Sequence, residues 1–212
     1  MDGMAVPPTA AADAPPVPGR RLGPVERRAQ LVAVGLALVK TMRFDEVTAE
    51  VVARASGVSK GLVFHYFPTT SDLQVAILRA ASAELLVELD VGAGLPPDEA
   101  LKVGLEAFVR YIEQQPASYQ AVARRASSDE RLLAVFEDTR AAVVDIMATN
   151  LGFSELPPGL RLLFRGWIAM VEECILHWLD DKPVPREELV EFLRRAALTM
   201  LPDALTLGAP RA

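Results

Sequence analysis

Apolar residues recur along most of this chain at steps of three and four, and proline and glycine interrupt the pattern repeatedly. Steps of that length place side chains on one face of an α-helix. The main interruptions after the first hundred or so residues fall at Pro97, Pro116, Ser128, Pro158 and Pro185. No stretch of useful length alternates apolar and polar residues, so the sequence predicts an all-α chain of about nine helices.

The amino-terminal segment is rich in proline and alanine and poor in large apolar side chains. Such a segment cannot bury enough surface to offset the entropy lost on ordering, so we expect residues 1–23 to form a disordered tail. The first helix is expected to begin near Pro24, because proline is favoured in the first turn. Its inward face is expected to consist of Val25, Ala29, Val32, Leu36 and Val39.

Charge is distributed unevenly along the chain. Residues 19–67 carry eight basic and four acidic side chains, whereas the whole chain has a net charge of −6. A basic amino-terminal segment on an acidic body is expected when one end of a protein meets phosphate.

The composition also bears on the compartment. Charged residues interrupt the apolar runs, so we expect no membrane-spanning segment. The amino terminus lacks a positive start followed by an apolar block, which predicts a cytoplasmic protein. The single cysteine, Cys174, rules out an internal disulfide and is expected to pack as a small hydrophobe in a reducing compartment.

Two short helices around a tight glycine turn are predicted within residues 48–67. Thr48 can cap the first helix, Gly57 can adopt the left-handed conformation of the turn, and Ser59 can cap the second helix. The pattern indicates a helix-turn-helix, in which the second helix enters the major groove of DNA.

The second of these helices has two different sides. At about 100° per residue, Val63, Tyr66 and Phe67 gather on the side that packs. The presented side carries Lys60, Gly61, Phe64 and His65. Its first turn would therefore meet base edges and phosphates.

The segment VTAEVVARASGVSKGLVFHYFPTTSDL resembles the amino-terminal DNA-binding domain of the TetR family of transcription regulators. The similarity covers residues 24–75. It implies a helix-turn-helix domain over residues 24–68 and a ligand-sensing and dimerisation domain over residues 69–212. Together, the presented side and the resemblance assign contacts with an operator to Arg27, Arg28, Thr48, Ser59, Lys60, Gly61, Leu62, Phe64, His65 and Thr69.

Three positions depart from the family pattern. Leu62, Phe64 and Thr70 stand where the family often has threonine, tyrosine and lysine. These exchanges remove two hydroxyl groups and a cation that commonly contact DNA, which predicts weaker backbone contact or greater reliance on arginines. Leu62 and Phe64 could instead meet thymine methyl groups.

Two alternatives stay open for this segment. The chain could be a helical interaction or scaffold protein of the same fold with reduced operator binding. Arg20 and Arg21 could be solvated tail charges or an arm that reaches the minor groove.

The carboxy-terminal part resembles the family only in its helical layout, so a binding site must be argued from residue type. Aromatic and soft side chains on the later helices could line a cavity for a small, mostly apolar ligand, although plain core packing explains the same pattern. The candidate lining residues are Phe108, Tyr111, Tyr119, Phe136, Trp167, Met170 and His177.

Catalytic and metal-binding patterns are weak. The sequence offers no Ser-His-Asp or Cys-His set and no phosphate-binding glycine loop, so we expect no enzyme activity and no cofactor. Glu173 and His177 stand four residues apart but have no further partners, which favours a surface or core pair over a metal site.

The last two helices carry more apolar residues than one inward face needs. The set comprises Leu163, Trp167, Met170, Leu176, Trp178, Phe192, Leu193, Ala197 and Met200. In the family the final two helices pair with those of a second copy, so the resemblance implies a homodimer on a palindromic operator, usually a repressor released by ligand. The excess of apolar residues could also complete the core of one copy. Activation of transcription instead of repression is a further open alternative.

Overall fold

The computed structural model of the chain describes residues 22–126 and 129–207. Within these ranges it contains nine α-helices and no strand, which confirms the prediction of an all-α fold with about nine helices. The helices are α1 (Pro24–Leu38), α2 (Ala49–Ala55), α3 (Lys60–Tyr66), α4 (Thr70–Leu89), α5 (Pro97–Gln114), α6 (Pro116–Ala126), α7 (Glu130–Asn150), α8 (Pro158–Asp181) and α9 (Arg186–Thr206).

The helices begin at the predicted positions because a proline or a capping side chain stands at the start of each first turn. α1 begins at Pro24, and α5, α6 and α8 also begin with proline. Thr69 caps α4 by accepting a hydrogen bond from the backbone N–H of Asp72 at 3.1 Å. The predicted break at Ser128 lies outside the described residues, and Asp129 caps α7.

The predicted inward face of α1 is wrong at its first turns. Val25 is 83% exposed and Ala29 is exposed, whereas Leu31, Gly35 and Val39 are buried. The contact with α4 sets this face, because a β-carbon at Gly35 would clash with Cδ1 of Ile77. The glycine therefore lets α4 approach α1 closely.

Two buried clusters form the interior. One joins α1, α2, α3 and the first half of α4, and it also includes Ala121, Val122, Leu132 and Val135 from α6 and α7. The other fills the bundle of α4, α5, α7, α8 and α9. Since α6 and the start of α7 pack against the amino-terminal cluster, the bundle is attached to it by more than the α4 connection.

Polar contacts reinforce the attachment. Ser71 donates to the Asp129 carboxylate at 3.0 Å, and Arg131 pairs with Asp72 at 2.6 Å. The buried amide of Gln74 on α4 donates to the backbone carbonyl of Val47 at 3.2 Å. These bonds fix the start of α4 between the segment that precedes α2 and the start of α7.

Candidate DNA-binding surface and interior cavity

The turn between α2 and α3 has the geometry that its residues predict. The Thr48 hydroxyl accepts a hydrogen bond from the backbone N–H of Val51 at 3.3 Å, and Ser59 accepts one from Leu62 at 3.2 Å. Gly57 has a φ of +66°. A side chain strains the backbone in that region, so glycine fixes the sharp turn between the two helices.

α3 has one buried and one exposed side. Val63 and Phe67 are buried beneath it, and the guanidinium of Arg28 lies 4.7 Å from the centre of the Phe67 ring. The exposed side carries Ser59, Lys60, Gly61 and His65. We call these four residues the recognition edge.

Leu62 and Phe64 occupy an intermediate position on α3. Both are half-buried, and Phe64 packs against the amino-terminal cluster. The Lys60 ammonium lies 5.9 Å from the centre of the Phe64 ring. Phe64 therefore supports the recognition edge while leaving part of its ring accessible.

The other predicted DNA-binding residues lie outside α3. Arg28 is exposed, whereas Arg27 is half-buried and donates to the Gln30 amide oxygen at 2.7 Å. Thr48 is half-buried at the start of α2, and Thr69 is exposed at the start of α4. Arg20 and Arg21 lie outside the described residues.

An interior cavity of about 170 Å³ runs between the helices of the bundle. Its wall extends from Val39 and Phe44, beside α1, to Ala197 and Leu201 on α9. The cavity therefore touches both the amino-terminal cluster and the helices at the far side of the bundle.

Five of the predicted lining residues do line this cavity. They are Phe108, Tyr111, Tyr119, Phe136 and Trp167. The ring of Tyr119 lies 6.1 Å from that of Phe108 and 6.0 Å from that of Phe136, so the three form a continuous aromatic wall.

Two predicted lining residues do not reach the cavity. The side chain of His177 is 75% exposed and pairs with Glu173 at 3.1 Å. Met170 is half-buried and packs against the bundle core without lining the cavity. Phe164 and Val171 of the same helix, α8, do line the cavity.

The polar groups of the aromatic lining residues have hydrogen-bond partners. Tyr111 donates to the backbone carbonyl of Ala81 at 3.3 Å, and burial raises its pKa to about 12. Tyr119 donates to the Glu172 carboxylate at 3.3 Å. Burial, followed by the charge of Glu172, holds the pKa of Tyr119 well above its ordinary value. The Trp167 indole donates to the Leu193 carbonyl at 3.0 Å, which ties α8 to α9.

Family models match both parts of the chain. The model described as bacterial regulatory proteins of the tetR family matches residues 32–77, and a tetracyclin repressor-like carboxy-terminal domain matches residues 97–200. The chain belongs to the TetR family. It is therefore a DNA-binding transcription regulator and not an enzyme.

Individual known proteins are similar to this one over most of the chain. A transcriptional activator from Mycolicibacterium smegmatis, FasR, is 23% identical over 181 residues, which is 82% of each protein. The crystal structure of a TetR-family regulator from Streptomyces coelicolor has 29% identity and a TM-score of 0.75, and the match covers 87% of this chain and 84% of that one. The multidrug-binding protein EbrR, crystallised with proflavin, has 18% identity and a TM-score of 0.65, covering 82% and 99%.

This TetR-family chain also contains a partly buried ion-pair network that the sequence did not reveal. Arg140 on α7 donates to Glu172 on α8 and to Glu137, and Glu137 in turn pairs with Arg165. The signal for Glu172 was a charged residue inside a largely apolar helix, but its partner Arg140 stands 32 positions away.

The outer faces of α8 and α9 in this TetR-family protein are partly apolar. Leu162 is 66% exposed and Phe192 is 53% exposed, and Met200 is also exposed. In contrast, Trp167, Trp178, Leu193 and Ala197 are buried within the single chain. The excess of apolar residues is thus divided between the core and an outer face.

Residues 22–126 and 129–207 show neither a metal-binding cluster nor a membrane-spanning helix. These residues contain no group of three or more histidine, cysteine, aspartate or glutamate side chains arranged to hold a metal ion. No helix in the same ranges is long and apolar enough to cross a membrane.

Proposed function

We propose that the protein is a homodimeric repressor in the cytoplasm that binds a palindromic operator and releases it when a small, mostly apolar ligand occupies the bundle. One observation supports operator recognition most directly. The recognition edge is exposed to solvent while Val63 and Phe67 fix the opposite side of α3 in the core. A rigidly backed helix with an exposed first turn is the arrangement that enters the major groove.

The residues on and beside the recognition edge have different roles. Lys60 and His65 supply donors for base edges or phosphates, and Gly61 allows close approach of the backbone. Ser59 caps α3, whose exposed N-terminal N–H groups favour a phosphate. The half-buried apolar groups of Leu62 and Phe64 suit contact with thymine methyl groups.

The flanking residues position the helix. Arg28 is exposed beside Phe67 at the end of α3, and Arg27, Thr48 and Thr69 stand at the starts of neighbouring helices. Arginine and threonine side chains commonly contact phosphate, which fixes the register of a protein on the duplex without reading sequence.

The exposed apolar face of α8 and α9 supports the homodimer. Leu162, Phe192 and Met200 would be covered by the same residues of a second copy, because a twofold interface is self-complementary. Gly166 and Ala169 are also exposed on α8, and small residues allow close helix packing. The dimer would set the spacing of the two α3 helices.

Ligand control follows from the position of the cavity. Val39 and Phe44 belong to the amino-terminal cluster and also line the cavity, so a ligand there contacts both parts of the molecule. Displacing Phe44 would disturb the Gln74 bonds that hold α4 against the segment between α1 and α2. By linkage, a ligand that weakens operator binding is itself weakened by the operator to the same extent.

The experiment is a retardation assay on the DNA upstream of the protein's own gene, with a shuffled duplex of equal length. We expect preference for the upstream duplex and an affinity that falls with salt, by about 0.9 in log–log slope per phosphate contacted. A helical scaffold of the same fold would show no preference between the two duplexes. A reporter downstream of the bound site gives the direction of control, since FasR is named as an activator.

A further inference from the structure

The wall of the cavity contains one charged spot. Among the described residues that line it, Arg140 and Glu172 are the two that carry charge, and Tyr119 lies beside them. Glu172 is only 8% exposed. A buried charge is retained only with partners, so the bonds around this pair define what the spot can bind.

Arg140 is already occupied by carboxylates. Its Nε donates to Oε2 of Glu172 at 2.9 Å, and its Nη1 donates to Oε1 of Glu137 at 2.8 Å. An anionic ligand that approached Arg140 would therefore find all three guanidinium nitrogens already donating to carboxylates, with the Glu172 and Glu137 carboxylates at close range. Like charges brought together in a partly desolvated site repel strongly.

The oxygen atoms at this charged spot can accept further hydrogen bonds. Oε2 of Glu172 accepts both bonds from Arg140, whereas Oε1 accepts one longer bond from the Tyr119 hydroxyl at 3.3 Å. A carboxylate oxygen can accept about two hydrogen bonds, and the Tyr119 oxygen can also accept. The spot therefore offers acceptors to a ligand rather than an unpaired cation.

We propose that the cavity binds a mainly apolar molecule with a hydrogen-bond-donating head, either a hydroxyl or a protonated amine, and excludes carboxylates. The donor bonds to Oε1 of Glu172 and to the Tyr119 oxygen, and the apolar body lies against Phe108 and Phe136. This assignment rests on the proposed function, since it takes the cavity as the ligand site.

Calorimetric titration of the full-length protein with four probes on one ring system tests the assignment. The probes are naphthylmethylamine, naphthylmethanol, methylnaphthalene and naphthoate, which differ only in the head group. We expect the amine and the alcohol to bind at least about tenfold more tightly than naphthoate. The assignment is overturned if naphthoate binds as tightly as either donor, or if none of the four binds.

Variants identify the residue responsible. Glu172→Gln should abolish the preference for the amine over naphthoate, whereas Glu173→Gln, which removes the same charge from the exposed neighbour on α8, should leave it unchanged. Tyr119→Phe should weaken the alcohol by about two- to tenfold. Identical behaviour of the two glutamine variants would refute the role of Glu172, and the wild-type and Tyr119→Phe titrations remain decisive if Glu172→Gln does not fold.

A retardation assay on the same samples separates this inference from the proposed function. If the protein prefers the operator but binds naphthoate most tightly, the proposed ligand class is wrong and the proposed regulator function is retained. If the protein shows no operator preference but binds the probes in the expected order, the proposed operator recognition is wrong and the proposed ligand class is supported.

Discussion

The Lys60 ammonium at the recognition edge lies 3.4 Å from the Glu50 carboxylate on α2. Glu50 also lies 3.4 Å from the guanidinium of Arg54. Without DNA, the cation that would meet a phosphate or base is thus partly neutralised from within the helix-turn-helix. Binding to DNA must exchange the Glu50 contact for a nucleic-acid contact.

Replacing Glu50 should therefore strengthen DNA binding. Glu50→Gln frees Lys60 and removes a negative charge that faces the phosphates, so we expect the affinity for the upstream duplex to rise by a few-fold at low salt. Fluorescence anisotropy with labelled duplex measures the change, and the gain should shrink as salt screens the charges.

A matched variant separates this local effect from net charge. Glu99→Gln makes the same charge change at an exposed position in the first turn of α5. Equal gains in the two variants would show that the Lys60–Glu50 contact has no special role.

Two glycines in the helix-turn-helix should respond in opposite ways to alanine. Gly57→Ala places a side chain at a φ of +66°, so it should lower the free energy of unfolding by about 1–2 kcal/mol. Gly61→Ala adds a methyl group to an exposed helical position with no atom closer than 3.9 Å, and it should raise stability by up to about 1 kcal/mol.

The same pair differs in DNA binding. Because Gly61 lies on the recognition edge, its added methyl group should weaken operator affinity even though the protein becomes more stable. Urea unfolding and anisotropy on both variants provide the two measurements. A Gly61→Ala protein with unchanged operator affinity would show that the backbone there does not approach DNA.

Local chemistry explains why much of the fold could be predicted. Gly57, Ser59 and Thr69 act on their own helix ends, so the sequence alone indicates what they do. The face of α1 could not be predicted in the same way. Its register depends on Gly35 meeting Ile77 of α4, a contact between residues 42 positions apart whose geometry no helical pattern encodes.

The cavity shows the same limit. Residue type predicts the five aromatic lining residues, but it does not indicate which side of α8 faces inward, so the same prediction wrongly includes Met170 and His177. The charged spot formed by Arg140 and Glu172 joins α7 and α8, and the sequence around neither residue indicates its partner.

A charge in the outer face of α9 should separate the two copies. Phe192→Glu introduces a carboxylate where two apolar faces would meet, so we expect a monomer by analytical ultracentrifugation. Loss of the second half-site contact should weaken operator binding by about a hundredfold or more. Val87→Glu, at a 77% exposed position on α4, is the control and should stay dimeric.

The α4–α7 contact should make stability sensitive to acid. The Thr69 hydroxyl and then Arg131 hold the pKa of Asp72 below its ordinary value of 3.8. A lowered pKa in the folded state means that the contribution is present above pH 3.8 and is lost as the pH falls through the folded pKa.

Thermal unfolding as a function of pH measures this contribution. Asp72→Asn should be less stable than wild type at neutral pH, and the difference should narrow below about pH 4. Glu99→Gln should follow the wild-type curve. A constant difference between wild type and Asp72→Asn down to pH 2 would mean that the Asp72 charge does not contribute.

The most direct test of the central claim is the ratio of affinities for the upstream and shuffled duplexes in a Lys60→Ala/His65→Ala variant. A matched variant, Lys102→Ala/His177→Ala, removes the same residue types from exposed positions on α5 and α8. We expect the ratio to fall by at least about tenfold in the first variant and to stay at the wild-type value in the second. An unchanged ratio in a Lys60→Ala/His65→Ala protein that unfolds at the wild-type temperature would contradict sequence recognition by α3.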